Sequence, residues 1–518
     1  MKKSFIIHPF LLAIYPVVFL FSHNIGQVSF DELIKPILII LFFALTAWCI
    51  LNILLQDWQR SGIIVSLFLF LFFFYGHVRN YLETLPSVLL ISLFWVLLFI
   101  LGSFFIVVTK KPFSKTTMIL NAVSVILVTI SATNIIFHQL TAVRKYEQNA
   151  SIKHIQSDSK QGRQTGTYPD IYFIILDAYA RGDVLKDFYD FDNSEFLNYL
   201  ESKGFYIADR AASNYGQTGL FVASCFNLTY LDNFAKYVGQ YNVSRVPLEG
   251  IISESFAMRY LKKRGYTIVS FTAERAETEF ANADIYLKSG ISIDTFYNAL
   301  KNTTPIPDIM NIMSSMKVNN DFDKYRGNIL YGLDTLKEVA KLRQTPKFIF
   351  AHIESPHPPF VFGPNGKPIN LESRLNDNDG DWLIRRGRLS LEEYRKHYRN
   401  QVVFINRQTK EIVDEILANS KQPPIILLLA DHGPRSKTIW EDPSRTNMRE
   451  HLSTLSAFYM PNRGDILLYP EITPVNIFRV IFNHYFGENL DLLPDKNFFS
   501  TAKYLYKFYD VTDRIKSD

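Results

Sequence analysis

The sequence IYFIILDAYAR, residues 171–181, decides the fold class of the larger part of this chain. Its first six residues form an unbroken apolar run, which is typical of a strand buried on both faces of a sheet. Helical patterns, such as residues 193–203 and 392–418, alternate with further short apolar runs at residues 266–271, 347–353, 425–430 and 455–460. This alternation predicts an α/β domain with a mostly parallel central sheet flanked by helices.

Carboxylates and imidazoles stand at the ends of three of these runs. In parallel sheets, ligands bind beyond the carboxyl ends of the strands. Oxygen and nitrogen ligands that converge there suit a zinc- or manganese-class metal. The candidate residues are Asp177, His352, His357, Asp431 and His432.

Asp431-His432-Gly433 is the strongest of these signals, because two potential ligands are followed by a glycine that allows a tight turn. Asp177 considered alone is typical of a helix cap. A lone histidine before a strand is usually structural, so His451 is not among the predicted site residues.

Thr218 is a candidate nucleophile within the segment SNYGQTGLFVAS, residues 213–224. It follows a polar turn and opens a predicted helix, where N–H groups favour an anionic phosphoryl oxygen. Coordination to a metal would lower the pKa of the hydroxyl and make it nucleophilic. Considered alone, Thr218 is more typical of a helix cap than of a nucleophile.

The composition indicates a second, apolar population of residues. Charged residues make up 20% of the 518, below the roughly 25% of an ordinary soluble domain. The apolar excess lies in the first 140 residues, as runs at 5–21, 34–55, 62–77, 86–108 and 117–140. A membrane-spanning helix needs about 20 apolar residues, with a lower limit near 17. The second, fourth and fifth runs meet this length, and the first and third are short. A signal peptide is disfavoured because four more runs follow the first.

The loop charges orient these runs. Loops rich in Lys and Arg alternate with poorer ones, which places the N-terminus in the cytoplasm and everything after the fifth run outside. We therefore expect a transmembrane bundle over residues 1–140, a linker over 141–168 and an exported catalytic domain over 169–518. The bundle lacks a clear intramembrane charge, so it indicates an anchor, with or without a groove for a lipid substrate, rather than a transporter.

Several classes of protein are excluded by composition. The net charge of +5, from 55 basic and 50 acidic residues, gives no indication of a nucleic-acid partner. Two cysteines, Cys49 and Cys225, cannot build a disulfide scaffold or a cysteine-based zinc module. The apolar and aromatic content excludes a disordered chain.

The order of these motifs resembles the alkaline phosphatase and sulfatase superfamily. A strand ending in Asp177, Thr218 at a helix start, the Pro-His segment of His357 and then Asp431-His432-Gly follow the pattern of that superfamily. The chain is most similar to the membrane-anchored, sulfatase-like branch of lipoteichoic acid synthases and lipid A phosphoethanolamine transferases, which also have five transmembrane helices before an exported domain. The resemblance covers residues 169–487 and, in layout, the bundle.

The resemblance implies one divalent metal, Mn, Zn or Mg, bound by Asp177, Thr218, Asp431 and His432. Asp177 stands where the transferases usually have Glu, whose reach is longer.

The resemblance also implies roles in the reaction. Thr218 would form a phospho-enzyme intermediate, and His357 would contact the transferred group or protonate the leaving oxygen, a role that suits an imidazole because its unperturbed pKa is about 6.5. His352 is a weaker candidate for a second metal or for substrate contact.

We therefore expect a phospho-alcohol transferase or hydrolase, of the phosphoethanolamine or phosphoglycerol type. It would act from the plasma or inner membrane, with a phospholipid donor and an envelope glycan or lipid acceptor, because donor and site then share one surface. Sulfatases carry Cys or Ser in a Cys/Ser-x-Pro-x-Arg pattern, which is absent after Thr218. Two alternatives stay open: a sulfuric-ester or phosphate-ester hydrolase, and a catalytically degenerate module for envelope assembly.

Overall fold

The computed structural model describes residues 5–23, 31–81, 88–148, 168–272, 276–280, 283–289, 295–313, 320–369, 371 and 380–517. The chain divides into two compact units. Unit 1 comprises residues 1–152 and 294–318, and unit 2 comprises residues 153–293 and 319–518. Most of the predicted linker, residues 149–167, lies outside the described residues.

The α-helices of the described part are, in chain order, α1 His8–His23, α2 Asp31–Leu55, α3 Trp58–Tyr81, α4 Val88–Val108, α5 Ser114–Gln148, α6 Gly182–Tyr189, α7 Ser194–Ser202, α8 Thr218–Asn227, α9 Asp232–Val238, α10 Val246–Ser253, α11 Phe256–Lys263, α12 Thr295–Asn302, α13 Ile306–Met313, α14 Asn320–Val339, α15 Gly380–Arg385, α16 Leu391–Asn419, α17 Met448–Leu452, α18 Pro474–Phe486 and α19 Arg514–Ser517. The strands are β1 Ile171–Leu176, β2 Tyr206–Ile207, β3 Thr267–Phe271, β4 Ile285–Leu287, β5 Lys347–Ile353, β6 Ile425–Leu429, β7 Ser456–Tyr459, β8 Phe498–Phe499 and β9 Tyr509–Asp510.

Unit 1 contains the predicted apolar helices. In the described residues, four segments are long and apolar enough to cross a membrane: Leu33–Leu55, Trp58–Arg79, Leu90–Val108 and Ser114–Ile136. The third helix is the most buried of these four, since 61% of its apolar window is buried, against 6% for α2 and α4 and 11% for α5. Outward-facing apolar side chains such as Phe42, 72% exposed, suit a hydrocarbon surround. Helix α1 has 16 residues and is shorter than a span, so a fifth crossing stays a prediction.

Unit 1 also contains the helical pair α12–α13, which comes from the middle of the region predicted to be exported. Gly76 of α3 donates a backbone hydrogen bond to Thr303 in the turn between these two helices. A Cβ at position 76 would lie 2.1 Å from the carbonyl oxygen of Asn302, so only glycine allows this close approach. The sequence gives no apolar run of membrane length here, which is why the prediction placed these residues in the catalytic domain.

Unit 2 is built around a seven-stranded sheet with the order β2-β7-β6-β1-β5-β3-β4. The pairs from β4 to β6 are parallel, and β7 runs opposite to both of its neighbours. The structure therefore has the predicted fold class of apolar N-terminal helices followed by a mostly parallel sheet with helices. The five predicted strands correspond to β1, β3, β5, β6 and β7, and the predicted helices at 193–203 and 392–418 correspond to α7 and α16.

Both faces of the sheet are covered, which explains the unbroken apolar run of β1. Ile171, Phe173 and Ile175 face a core that includes α8 and α18. The alternate residues of β1 face a second core that includes α14 and α16. Each fully buried large apolar side chain contributes about 1.5–3 kcal/mol. Helix α16 begins at Leu391 because Ser390 and Glu393 form a reciprocal capping box.

Candidate active site

The candidate residues lie at one edge of the sheet. Strand β1 pairs in parallel with β5 on one side and β6 on the other, with Leu176 opposite Ile353 and Ile175 opposite Leu429. The carboxyl ends of these three strands therefore lie together. Asp177 follows β1 directly, His352 is the penultimate residue of β5, and Asp431 follows β6 after one residue.

Asp177 is the centre of this cluster and is fully buried. Its Oδ2 lies 3.2 Å from Nε2 of His352, and its Oδ1 lies 3.2 Å from Nε2 of His432. Burial raises the pKa of the Asp177 carboxyl, but the His357 and His432 imidazoles outweigh burial and hold this pKa well below its usual range. Asp177 is therefore an anion at neutral pH.

The rings of His432 and His357 are both oriented by backbone carbonyls. Nδ1 of His432 donates a 2.8 Å hydrogen bond to the carbonyl oxygen of Gly433, and Nδ1 of His357 donates to that of Pro358. In a neutral imidazole the other nitrogen, Nε2, then carries the lone pair. Metal-binding histidines are typically held by such a hydrogen bond, which fixes the tautomer.

Thr218 is the first residue of α8, and its side chain is directed at the cluster. Its hydroxyl donates a 2.6 Å hydrogen bond to Oδ2 of Asp431. Oδ1 of the same carboxylate accepts a 3.3 Å bond from the backbone N–H of Ala178. Ala178 has a φ of 63°, in the left-handed region that is unfavourable for a residue with a Cβ. The chain accepts this conformation directly after Asp177, where the N–H turns towards Asp431.

Two groups of buried side chains could hold a metal ion: Asp177 with His357 and His432, and Asp177 with His352 and Asp431. Within each group the ligand atoms lie within 4.8 Å of one another. Oδ1 of Asp177 and Nε2 of His432 lie 3.2 Å apart and form no hydrogen bond with the described residues, although Nε2 of His432 also lies 3.5 Å from Oδ2 of Asp431. Buried polar atoms are normally satisfied. The donor set fits a divalent cation, because it combines carboxylate oxygens with oriented imidazoles.

His352 differs from the other two imidazoles because both of its ring nitrogens have protein partners. Nδ1 lies 3.0 Å from the hydroxyl of Thr278, and Nε2 lies 3.2 Å from Asp177. Burial lowers the pKa of His352, but the hydrogen bond and the charge of Asp177 more than offset burial, so the pKa is raised. This geometry indicates a residue that orients Asp177.

The structure brings together all six predicted residues, and it adds His451, which the sequence prediction left out. The ring of His451 is fully buried, with its centroid 6.4 Å from that of His432. Burial, together with the charges of Arg435 and His432, holds the pKa of His451 well below its usual value. A Cβ at Gly216 would lie 2.1 Å from its Nε2, so the ring packs beside the turn that leads to Thr218.

The signal that could have found His451 is the direction of β7. Because β7 is antiparallel to β6, Ser456 at its start pairs with Leu429 at the end of β6. Residues that precede β7 therefore lie at the same edge as Asp431 and His432. A wholly parallel sheet would have put them at the opposite edge.

Gly433 is required because a side chain would not fit there, and not because the tight turn that the sequence suggested needs a positive φ. It is not among the residues with positive φ. A Cβ at this position would lie 2.0 Å from the carbonyl oxygen of Glu450, and the Gly433 N–H donates a 2.8 Å hydrogen bond to the carbonyl oxygen of His451. This close approach fixes the segment that holds Asp431 and His432.

Gly433→Ala is expected to unfold at a lower temperature, since overpacking of a rigid contact costs roughly 1–3 kcal/mol. It should also lose metal, because the clash moves Asp431 and His432. Thermal unfolding and elemental analysis measure the two effects. Gly363→Ala is the matched control, as its Cβ would meet only ordinary contacts at 3.5 Å and beyond. A Gly433→Ala protein with wild-type stability and metal content would contradict the stated role.

A second group of charges lies behind the turn before Thr218. Arg245 donates a 3.0 Å hydrogen bond to Oε1 of Gln217 and forms an ion pair with Glu277. Glu249, on α10, is close to this pair. Burial and the charge of Glu277 raise the pKa of Glu249 to about 8, against a partial opposing effect of Arg245.

This shift predicts a pH-dependent stability. The folded state keeps the Glu249 proton up to about pH 8, whereas the unfolded state releases it above about 4.3. The contribution of Glu249 to the free energy of unfolding is therefore fully present below about pH 4.3, and it falls as the pH rises towards 8. Glu249→Gln is expected to raise the unfolding temperature at pH 8 by about 5 °C and to leave it unchanged at pH 4. The exposed Glu254→Gln is the control. An equal effect of Glu249→Gln at both pH values would rule out the shift.

No family model and no curated protein match the sequence. Solved structures do match. The C-terminal periplasmic domain of EcEptC from Escherichia coli, in complex with Zn, has a TM-score of 0.42 and 11% identity, and the match covers 67% of this chain and 93% of that one. The lipooligosaccharide phosphoethanolamine transferase A from Neisseria meningitidis, an integral membrane protein, has a TM-score of 0.39 and 10% identity. This match covers 92% of this chain and 95% of that one. BT1596, a 2-O GAG sulfatase, has a TM-score of 0.38 and 11% identity, and the match covers 62% of this chain and 72% of that one.

The Neisseria protein is a phosphoethanolamine transferase and BT1596 is a sulfatase, and both kinds of protein are among those that the sequence resemblance names.

Proposed function

We propose that this chain is a membrane-anchored, metal-dependent phospho-alcohol transferase or hydrolase, of the phosphoethanolamine or phosphoglycerol type. Its substrates would be a phospholipid donor and an envelope glycan or lipid acceptor. The apolar helices of unit 1 support membrane anchoring. The charge asymmetry of their loops supports an exported unit 2, on the periplasmic or extracellular side of the plasma or inner membrane.

One contact carries the proposal: the Thr218 hydroxyl donates its hydrogen bond to Asp431 within a buried cluster of carboxylates and imidazoles. A threonine that served only as a helix cap would accept a bond from a backbone N–H of its own helix. The start of α8 has no side-chain cap. The oxygen of Thr218 is instead held against the residues that could bind a cation and activate it.

In the proposed first half-reaction, Oγ1 of Thr218 attacks the phosphorus of the donor. The bond from phosphorus to the leaving alcohol oxygen breaks, and diacylglycerol departs from a phospholipid donor. Asp431 is the nearest base for the hydroxyl proton, because it already accepts that hydrogen bond. His357, starting as the imidazolium with a proton on each ring nitrogen, gives the Nε2 proton to the leaving oxygen. The headgroup is left esterified to Thr218 through its phosphate.

In the second half-reaction, a hydroxyl of the acceptor, or water, attacks the same phosphorus. Its proton goes to His357, the bond to Thr218 breaks, and Thr218 regains the proton held by Asp431. Transfer and hydrolysis therefore share the first half-reaction and differ only in the attacking oxygen. Access of the acceptor to His357 would decide between them.

Asp177, Asp431, His432 and Thr218 would hold the divalent cation. When bound, such a cation stabilises negative charge on phosphoryl oxygens and lowers the pKa of a coordinated hydroxyl. The chain's own contribution is to keep these ligands buried and oriented. The N-terminal N–H groups of α8, a ten-residue helix, add partial positive charge beside the attacked phosphorus.

The covalent intermediate is the test. Full-length protein in nanodiscs is mixed with phosphatidylethanolamine labelled in its headgroup and quenched with acid, and a parallel sample receives phosphatidylglycerol. We expect peptide mass spectrometry to find the headgroup phosphate on the peptide that contains Thr218. Ser224→Ala is the control, since it removes a buried hydroxyl of the same helix that bonds a backbone carbonyl, and it should keep the adduct.

Three outcomes would contradict the proposal. Headgroup release without an adduct on this peptide under rapid quench would exclude Thr218 as the nucleophile. Turnover of sulfate esters without turnover of phospholipids would favour the sulfuric-ester hydrolase. No turnover and no bound metal, even after Mn, Zn or Mg is offered, would favour the degenerate assembly module.

A further inference from the structure

Unit 1 contains an apolar cavity of about 250 Å³ that the proposed reaction does not use. One wall is α2 between Pro36 and Phe43, and a second is α3 between Phe68 and Phe73. The third wall is α12–α13 between Tyr297 and Ile306. Dry cavities of about 150 Å³ with similar linings take up small hydrocarbons. This one is partly open and is large enough for part of one hydrocarbon chain.

The cavity extends over about one half of the predicted membrane thickness. At about 1.5 Å per residue, Pro36 and Phe43 are about 5 and 15 Å from Leu33, the first residue of the span in α2. By the same measure, Phe73 and Phe68 are about 9 and 16 Å from Arg79, where the span in α3 ends. One leaflet of a bilayer contributes about 15 Å of hydrocarbon. The loop charges assign this end of the two helices to the outer leaflet.

The wall formed by α12–α13 is held firmly on the bundle. Asp308 is 3% exposed, and its carboxylate accepts hydrogen bonds from the Tyr75 hydroxyl at 2.8 Å and from Nε of Arg79 at 2.9 Å. The turn of the pair also contacts the backbone of Gly76. Because removal of either member of a buried ion pair is strongly destabilising, this wall is a fixed part of unit 1. The cavity is thus a built feature and not a gap between mobile segments.

Lys301 is the one charged residue in the lining of this cavity within the described part of the chain. Lys301 lines it from the last turn of α12, is half-buried and forms no ion pair among the described residues. A lysine at the edge of the hydrocarbon region extends its ammonium group into the headgroup layer. That layer carries lipid phosphates. An apolar cavity with one cation in its lining matches a hydrocarbon chain that ends in an anionic group.

We propose that this cavity binds one acyl chain of a glycerophospholipid from the outer leaflet, with the lipid phosphate at Lys301. The apolar walls favour a hydrocarbon over a polar ligand. The lysine distinguishes a phospholipid from a neutral lipid. This site belongs to unit 1 alone, so it stands whether or not unit 2 has the activity proposed above.

The test is photochemical labelling of the full-length protein in nanodiscs. Trace phosphatidylcholine with a diazirine in one acyl chain is activated by light, and the labelled peptides are identified by mass spectrometry. We expect labels to concentrate in the three walls of the cavity, above the level on the exposed face of α4. Excess unlabelled phospholipid should compete at the walls.

Two variants that fill the cavity sharpen the test. Ile40→Trp on α2 and Leu300→Trp on α12 are each expected to lower labelling of the walls roughly tenfold, a change of about 1.4 kcal/mol. Ile50→Trp is the matched control, because Ile50 is on the same helix, is 53% exposed and lies outside the cavity. Circular dichroism and elution volume check the fold of each variant. Unchanged labelling in a folded Ile40→Trp or Leu300→Trp protein overturns the proposal.

A charge variant tests the headgroup and needs no change to the apolar walls. Lys301→Glu should reduce labelling by the phospholipid probe and leave labelling by a diacylglycerol probe unchanged, since the latter has no phosphate. Lys110→Glu, at an exposed position in the loop between α4 and α5, should change the labelling by neither probe. Equal effects of Lys301→Glu on both probes would overturn the assigned headgroup position. Thr218→Ala should label like the wild type, so a failure of the proposed reaction does not affect this result.

Discussion

Thr218→Ala is expected to lower headgroup release from phospholipids by about 10³- to 10⁶-fold, the range found when a catalytic nucleophile is removed. The alanine cannot form a bond to phosphorus, and no other hydroxyl of α8 can replace it, since Ser224 lies almost two turns away and bonds the Thr229 carbonyl. Thr218→Ser keeps an oxygen at nearly the same position. We expect the serine variant to retain a measurable fraction of the wild-type rate and to carry the headgroup adduct.

Stability has to be measured beside activity, because the same change leaves Oδ2 of Asp431 without its 2.6 Å donor. A buried acceptor that loses its partner costs roughly 1–3 kcal/mol, which lowers the unfolding temperature without unfolding the protein at 25 °C. Ser224→Ala controls for loss of a buried hydroxyl in this helix and should keep its activity. Full headgroup release by a folded Thr218→Ala protein would contradict the proposed mechanism.

The candidate site was largely predictable because its residues follow strands that the sequence marks clearly. Asp177 and Asp431 come immediately after apolar runs that are buried on both faces, and parallel neighbours bring such ends together. The pattern of apolar residues alone could not identify Thr218 as a candidate nucleophile, since a hydroxyl at a helix start is usually a cap. The resemblance to a known family supplied the proposed role of Thr218, and the hydrogen bond to Asp431 supports that proposal.

Features that depend on close packing could not be predicted. The fit of Gly433 against Glu450 and of Gly76 against Asn302 involves residues far apart in the sequence, and a glycine by itself does not show what approaches it. Similarly, α12 and α13 are eight-residue helices with no run of membrane length, so their place beside α3 depends on the buried ion pair between Asp308 and Arg79. Sequence periodicity reports which face is apolar, and it does not report the partner.

Asp177→Asn is expected to remove bound metal, because Asp177 is the one residue common to both candidate ligand groups in the described residues. The amide oxygen is neutral and a weaker ligand for a divalent cation. Loss of the carboxylate also frees the ring of His432, whose Nε2 lies 3.2 Å from Oδ1. We expect elemental analysis to show close to one metal ion per wild-type chain and almost none in the variant, with activity lost in parallel.

His352→Gln distinguishes a site with one metal from a site with two. Both ring nitrogens of His352 already have protein partners, Thr278 and Asp177, so it orients the carboxylate and leaves no lone pair for a cation. Loss of such an orienting partner typically lowers metal affinity by about 10- to 100-fold. His352→Gln should therefore keep its metal at saturating concentration but release it to a chelator sooner than the wild type.

Asp170→Asn is the matched control for both variants. Asp170 is a nearly buried carboxylate before the start of β1, paired with Lys347, so its loss also breaks a buried ion pair. It lies at the opposite end of the strand from Asp177, and its metal content should equal that of the wild type. A loss of half the metal in His352→Gln would instead assign His352 to a second ion. Full metal content in Asp177→Asn would exclude both ligand groups, because neither can hold a cation without this carboxylate.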